Sequence, residues 1–310
     1  MSSEDRWAAV LAQLDSFLTR ADAAHVLVEG ADGDRCALVA DRLAGALRAG
    51  DVEIVRGPQW RDHRPAGRRA LVIWLRTGGA PGDGEHGADV VIDLRDAAWP
   101  VIRRVREGLA DHDGWHASES RAFFAVRAAT WDTQFGDDLP AYAAGVAAAE
   151  LPVGGAVLDA GCGTGRALPA LREAVGGRGV VFGADVTPEM LEVAADRATR
   201  AGATLVRADA LRLPFGAASV DAVFAAGLIN HLPDPVAGLA ELARVTRPGG
   251  RLVLFHPSGR AALAARHGRE LRPDDLFAEG PLRTATTRAG WRLDTYDDAP
   301  HRFLTLATRT

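Results

Sequence analysis

Lysine is missing altogether: all 36 Lys+Arg residues are arginine. A phosphate-cradling loop of the form G-x-x-x-x-G-K-[ST] therefore has no lysine to draw on anywhere in the chain. Cysteine occurs only at Cys36 and Cys162, which excludes a disulfide framework and a cysteine-rich metal centre. No convincing cluster for a catalytic metal is found elsewhere. No stretch approaches the roughly 20 apolar residues that span a bilayer, so no membrane partner is expected. The opening residues, MSSEDR, lack the basic start and apolar run of a secretion signal, and the expected location is cytoplasmic. The net charge is −5, with the acidic excess spread along the chain. Nucleic acid is thereby disfavoured as a partner, because phosphate binding needs a concentrated basic face.

What is present is ample apolar content, 47% of 310 residues, enough for one large or two ordinary domains. A helix is expected over 4–20, with Trp7, Val10, Leu11, Leu14, Phe17 and Leu18 on one face. Strands follow at 25–29, 51–56, 70–75 and 90–94, with a helix at 37–49. This is a small α/β unit. The polar stretch DHDGWHASES, 111–120, marks the boundary, placing domains at 1–112 and 113–310. Helices are expected at 121–130 and 139–149. Strands then alternate with helices at 156–160, 180–184, 204–207, 220–225 and 251–255, and a last pair of strands falls at 291–296 and 302–308. Asp297 and Asp298 read as the turn between that pair.

The stretch EGADGDRCAL, 29–38, has a strand before it and a helix after it. Where a phosphate loop would place Gly, Lys and Ser/Thr stand Arg35, Cys36 and Ala37. Neither a positive charge for phosphate nor a hydroxyl for Mg²⁺ is available there. HVLVEGADGDRCALVADRLAGAL and ADVVIDLRDAAWPVIRRV nevertheless resemble parts of uridine kinase-like P-loop proteins. The resemblance implies a degenerate, truncated kinase-like region. Its expected use is packing, dimerisation of two copies, or forming a wall of a substrate site, with Arg35 left as a weak anion contact.

A second glycine loop is intact. AVLDAGCGTGRAL places Asp159, Gly161, Gly163 and Gly165 after a buried strand and before a helix. The glycines permit a tight turn and close approach of a ligand to the backbone, and the helix N-terminus offers free N–H groups. Asp185 ends the next strand, where an acid can accept both ribose hydroxyls of a nucleoside. Asp209 ends the strand after that, placed to meet an adenine amino group.

LDAGCGTGR, GADVTPEML, ADALRLPF, VDAVFAAGLINHLPDP and RVTRPGGRLVLF together resemble class I S-adenosylmethionine-dependent methyltransferases, especially the small-molecule, ubiquinone/menaquinone methyltransferase-like group. The resemblance covers residues 121–310. It implies a Rossmann-like α/β fold with seven strands, the last antiparallel, beside the smaller N-terminal α/β domain. It implies S-adenosyl-L-methionine as cofactor and a small-molecule acceptor, as is common in bacterial secondary metabolism. By position, Asp159, Gly161, Cys162, Gly163 and Gly165 cradle the methionine end. Asp185, with Val186 beside it, holds the ribose. Met190, Asp209 and Ala210 meet the adenine, and Ala226 faces the cofactor. RAATWDTQFGDDLPAYA resembles the helical lid of the family, with Arg127, Trp131 and Tyr142 closing over sulfonium or substrate. Tyr is common in the family where Trp131 stands.

A sulfonium methyl is already activated, so positioning does most of the work and a base is optional. His231, in INHLPD, and His256, in LFHPSGR, are the two candidate bases. HPSGRAALAARHGRELRPDD carries Arg260, Arg266, Arg269 and Arg272, with Ser258 able to cap a short helix. Turned inward, Arg260 and its neighbours suit a substrate carboxylate or phosphate. Turned outward, they form a solvated face paired with Glu270, Asp274 and Asp275. The alternative to an enzyme is a non-catalytic S-adenosylmethionine-binding regulatory or interaction protein.

Overall fold

The computed structural model describes residues 2–46, 53–56, 70–77, 85, 87–106, 108–110, 115–266 and 271–310. The first two residues of the expected strand at 51–56, residues 57–69, most of 77–87, the start of the boundary stretch at 111–114, and Arg269 with Glu270 lie outside them. The chain divides into two compact units, one up to residue 119 and one from 120 onward.

In the first unit, helix α1 (Ser3–Ala21) starts with a reciprocal cap. The Ser2 hydroxyl accepts the Asp5 N–H at 3.1 Å, and the Asp5 carboxylate accepts the Ser2 N–H at 2.9 Å. Its buried face carries Trp7, Val10, Leu14 and Phe17. Five strands follow: β1 (His25–Gly30), β2 (Glu53–Arg56), β3 (Ala70–Arg76), β4 (Val90–Asp93) and β5 (Val101–Val105). They pair in the order β2-β1-β3-β4-β5, parallel except for β5. β1, β3 and β4 are near-continuous apolar runs because both faces are covered. Val28, Ile73 and Ile92 belong to one core, and Leu27, Val72 and Val91 to the other. Arg6 donates to Glu119 and, at 2.7 Å, to the Pro100 carbonyl. Glu119 also accepts the Ile102 N–H at 2.6 Å.

The helix expected at 37–49 starts earlier than read, which shortens the stretch between it and the strand before it. Helix α2 spans Gly33–Ala46, so only Ala31 and Asp32 separate it from β1. Asp32 starts it: its side chain accepts the Arg35 N–H at 3.1 Å, and its carbonyl accepts the Cys36 N–H at 3.0 Å. A two-residue link cannot wrap a phosphate chain. The Arg35 guanidinium donates to the carbonyls of Leu94 and Arg95 and pairs with Asp32, which binds it to the end of β4 rather than leaving it toward an anion. Cys36 packs in the core, and burial pushes its thiol pKa up.

The second unit begins with α3 (Trp115–Ala125, which starts in the first), a 3₁₀ turn at Ala128–Thr130, α4 (Trp131–Phe135) and α5 (Leu139–Ala148). The single helix expected at 121–130 is therefore broken near Arg127. Next come β6 (Ala156–Ala160), α6 (Leu168–Val175), β7 (Val180–Asp185), α7 (Pro188–Ala201), β8 (Thr204–Arg207), β9 (Val220–Ala226) and α8 (Pro235–Val245). The unit closes with β10 (Thr246–His256), α9 (Arg260–Arg266), α10 (Glu279–Arg288), β11 (Trp291–Ala299) and β12 (Arg302–Arg309). The sheet has the order β11-β12-β10-β9-β6-β7-β8. β12 runs antiparallel to both its neighbours, and the remaining pairs are parallel. The chain winds outward from β6 to β8, then returns to lay β9 on the other side of β6. That reversal opens a crevice at the carboxyl ends of β6 and β9. A Cβ at Gly145 would come within 2.8 Å of the Phe255 ring, so glycine is what lets α5 lie so close to β10. Among the described residues no helix is long and apolar enough to cross a membrane.

Candidate active site

Asp159 sits in the middle of the sheet on β6, between Gly183 of β7 and Phe224 of β9. It is 1% exposed, and its Oδ2 has no hydrogen-bond partner among the described residues. Burial first, and the charge of Asp185 second, push its pKa up to about 8. A buried oxygen of this kind is costly unless something polar meets it.

The loop beyond Asp159 hangs from β7. The N–H groups of Gly161 and Cys162 both donate to the Ala184 carbonyl, at 2.8 and 2.9 Å. Gly161, Gly163 and Gly165 all have positive φ, with Gly163 at 52°. At Gly163 a Cβ would meet nothing within 4 Å, so this residue borders open space. The Gly163 N–H donates to Asp185 Oδ2 at 2.9 Å, and the Thr187 N–H donates to its Oδ1 at 2.8 Å. Burial pushes the Asp185 pKa up against these bonds, which pull it down. Cys162 is buried beneath the loop with its thiol pKa raised, mainly by burial. Val186 is half-buried and Met190 buried, the latter in the first turn of α7. Asp209 turns its own loop by accepting the Leu211 N–H at 2.9 Å, beside a half-buried Ala210. Ala226 ends β9 opposite Phe255.

The residues expected of a lid separate into two groups. Arg127 stacks on Phe123, its guanidinium carbon 3.9 Å from the ring centre, and donates to the Phe123 carbonyl at 2.7 Å. Trp131 meets Phe124 edge-on at 5.5 Å, and Phe124 meets His231 at 5.0 Å, so these three form one aromatic row. Tyr142 instead packs on Phe255, at 5.1 Å, and on Phe224. Burial, with the acids Asp138 and Asp159 nearby, raises the pKa of its phenol and keeps it neutral.

His256 ends β10. Its Nδ1 lies 3.0 Å from both the N–H and the carbonyl of Ser258. With Nδ1 protonated and donating to that carbonyl, Nε2 keeps a lone pair. Arg260 is not set for a substrate anion: Asp275 and Asp298 pair with it, and the Tyr296 hydroxyl lies 3.4 Å away. Asp298, not Ser258, accepts the Arg260 N–H at the start of α9, at 2.7 Å. Asp297 and Asp298 are thus strand residues of β11, paired opposite Leu304 and Phe303, and the turn lies beyond them. Among the described residues no group of three or more His, Cys, Asp and Glu could hold a metal ion.

Sequence reading missed the contacts of Asp132, Thr164, Arg166 and Arg197. Asp132 accepts from the Thr164 hydroxyl at 2.7 Å, from Arg166 Nε at 3.1 Å and from Arg197 Nη2 at 2.9 Å. Their only sequence signal was position: Asp132 follows Trp131, and Thr164 and Arg166 flank the last glycine of the loop.

Residues 158–254 match the family model of a methyltransferase domain. The 27-O-demethylrifamycin SV methyltransferase of Amycolatopsis mediterranei (strain S699) is 35% identical over 178 residues, 56% of this chain and 58% of that protein. A demethylmenaquinone methyltransferase of Staphylococcus epidermidis is 40% identical over 106 residues, 34% of this chain and 44% of that protein. The chain thus spans less than two thirds of the length of these curated relatives. Among solved structures, magnesium protoporphyrin IX methyltransferase (ChlM) from Synechocystis PCC 6803 with bound SAH has a TM-score of 0.50 at 18% identity, over 62% of this chain and 99% of that one. The second unit shares the Rossmann-like fold of that methyltransferase, and its residues 158–254 are the part that matches a methyltransferase domain.

Proposed function

We propose that this protein transfers a methyl group from S-adenosyl-L-methionine to a small-molecule acceptor at the carboxyl end of the second sheet. The observation that carries the reading is Asp159: a buried carboxyl with an oxygen lacking any partner among the described residues, leading into a glycine loop in which a Cβ at Gly163 would meet nothing within 4 Å. These residues fit the donor. Asp159 and the loop of Gly161, Cys162, Gly163 and Gly165 would hold its methionine end. Asp185, with Val186, would hold the ribose, and Asp209, Ala210 and Met190 the adenine, with Ala226 alongside. Bound there, the donor supplies an electrophilic methyl whose transfer leaves a neutral thioether.

The chain's own task is then to align the acceptor with that methyl, which can supply on the order of 7–11 kcal/mol. His256 takes the acceptor's proton, its ring steadied at Nδ1 by Ser258. The row of Trp131, Phe124 and His231 forms an apolar wall of the acceptor space. Because Arg260 is committed to Asp275 and Asp298, the acceptor is not held by an arginine–carboxylate pair at that position. The similarity to a 27-O-demethylrifamycin SV methyltransferase and to a demethylmenaquinone methyltransferase supports a small-molecule acceptor. The first unit is a kinase-like remnant without phosphate chemistry, kept for packing or for pairing two copies. The direct test is incubation of the full chain with methyl-labelled donor and fractionated bacterial metabolites. Label in a small-molecule fraction is expected; donor uptake with no labelled product would overturn the catalytic reading.

Donor uptake should depend on pH through Asp159. With its pKa near 8, Asp159 carries a proton at neutral pH in the free protein. The cationic donor favours the carboxylate, so binding releases that proton. Affinity for S-adenosylmethionine is expected to rise about tenfold per pH unit up to pH 8 and then level off. Calorimetry in two buffers of different ionisation enthalpy reads the released proton directly. The same raised pKa makes the free fold lose stability as pH rises from about 4 to about 8, because the folded state keeps a proton that the unfolded chain has released.

A further inference from the structure

We infer that Asp132 is a positioning residue that latches the lid segment to the glycine loop and so holds the loop in its donor-binding shape; this rests on the donor reading above. Thr164 lies between two glycines of positive φ, a backbone that is soft unless something outside it holds it. Thr164 is 1% exposed and is gripped at two points. Its hydroxyl donates to Asp132 Oδ1 at 2.7 Å, and its carbonyl accepts from Arg197 Nη1 at 2.5 Å. Arg197 turns its other nitrogen, Nη2, to Asp132 Oδ2 at 2.9 Å. One carboxylate therefore fixes the loop both directly and through an arginine.

The lid side of the latch is equally tied. Arg166, its side chain 6% exposed, gives Nε to Asp132 at 3.1 Å and Nη1 to Asp138 at 2.7 Å. Its Nη2 donates to the Gly136 carbonyl at 2.8 Å. The guanidinium is thus wrapped by Asp132, Gly136 and Asp138, on α4 and in the link that follows it to α5. Two carboxylates balance two guanidiniums across the latch. Burial pushes the Asp132 pKa up, but the bonds from Thr164 and Arg197 outweigh it and keep the group ionised. Charge-assisted bonds of this kind are about twice as strong as neutral ones and fix geometry as well. Loss of the Asp132 charge leaves Arg166 and Arg197 facing a neutral group and frees Thr164 between its glycines.

The experiment compares wild type, Asp132→Asn, Thr164→Val and Asp185→Ala in the full chain. It reads amide hydrogen exchange at 161–166 without ligand, S-adenosylhomocysteine affinity by calorimetry, and the melting point. Asp132→Asn is expected to speed exchange at 163–166 about tenfold and to weaken affinity about tenfold, with exchange in β6 and β9 unchanged. Thr164→Val is expected to move both in the same direction by less. A merely structural role predicts a lower melting point and faster exchange through the whole unit, with the affinity of the folded fraction unchanged. That result, or wild-type exchange and affinity in Asp132→Asn, would overturn the latch. If Asp132→Asn fails to fold, Thr164→Val decides on the same readouts. If wild type itself takes up no S-adenosylhomocysteine, the donor reading fails, and the exchange data alone then decide the latch.

Discussion

Asp185→Ala is expected to weaken S-adenosylhomocysteine binding about a thousandfold, which corresponds to about 4 kcal/mol. The carboxylate has two tasks. It already accepts the N–H groups of Gly163 and Thr187, at 2.9 and 2.8 Å, and so shapes the two loops that flank the proposed donor space. Each of its oxygens has a further lone pair for a ribose hydroxyl. Alanine removes those charge-assisted bonds, at about 1.5–3 kcal/mol each, and leaves two backbone donors without their acceptor. The losses overlap, so the total falls below their sum. Asp185→Asn keeps the shape and one acceptor oxygen, and should fall between alanine and wild type. Calorimetry on all three checks the series. Wild-type affinity in the alanine variant would remove Asp185 from the donor site.

His256→Ala is expected to slow methyl transfer by about 10²–10⁴-fold while S-adenosylhomocysteine affinity stays within about twofold. The reason is the ring's placement. Nδ1 lies 3.0 Å from both the N–H and the carbonyl of Ser258, which steadies the ring. A base oriented by a backbone carbonyl loses little freedom when it takes up a proton. Single-turnover transfer with saturating donor isolates the chemical step. His231→Ala is the comparison. Its ring lies against Phe124, so its loss should raise the acceptor KM more than it lowers the rate. An unchanged rate in His256→Ala would strike it from the mechanism.

The features legible in the sequence were those fixed by local chemistry. Asp159 lies one residue before the end of β6, Asp185 ends β7 and Asp209 follows β8 by two residues, and the glycines after Asp159 admit few other conformations. Features set by contacts across the fold were not legible. Asp32 starts α2 two residues after β1, and no spacing rule distinguished that cap from a longer loop. β5 escaped notice because Pro100 precedes it and two arginines interrupt its five residues. Asp297 and Asp298 looked like a turn because β11 is an edge strand with an exposed face, where acids are tolerated. Arg260 showed its charge in the sequence but not its partners, one of which, Asp298, lies 38 positions along the chain. Asp132 and Arg166 are 34 positions apart, and only the folded sheet brings them together.

The place of β12 has a bearing on how the protein is made. Arg302–Arg309 lies between β10 and β11, both of which are synthesised before it. During translation of residues 257–309, roughly 3–10 s at 5–20 residues per second, β10 has no partner on that side. Its apolar Leu252–Phe255 edge is then open to pairing with another nascent chain. Ribosomes crowded on one message, or a stall within this interval, would favour clumping at that edge, and a chaperone that shields β10 until residue 309 has emerged would raise the yield of folded protein.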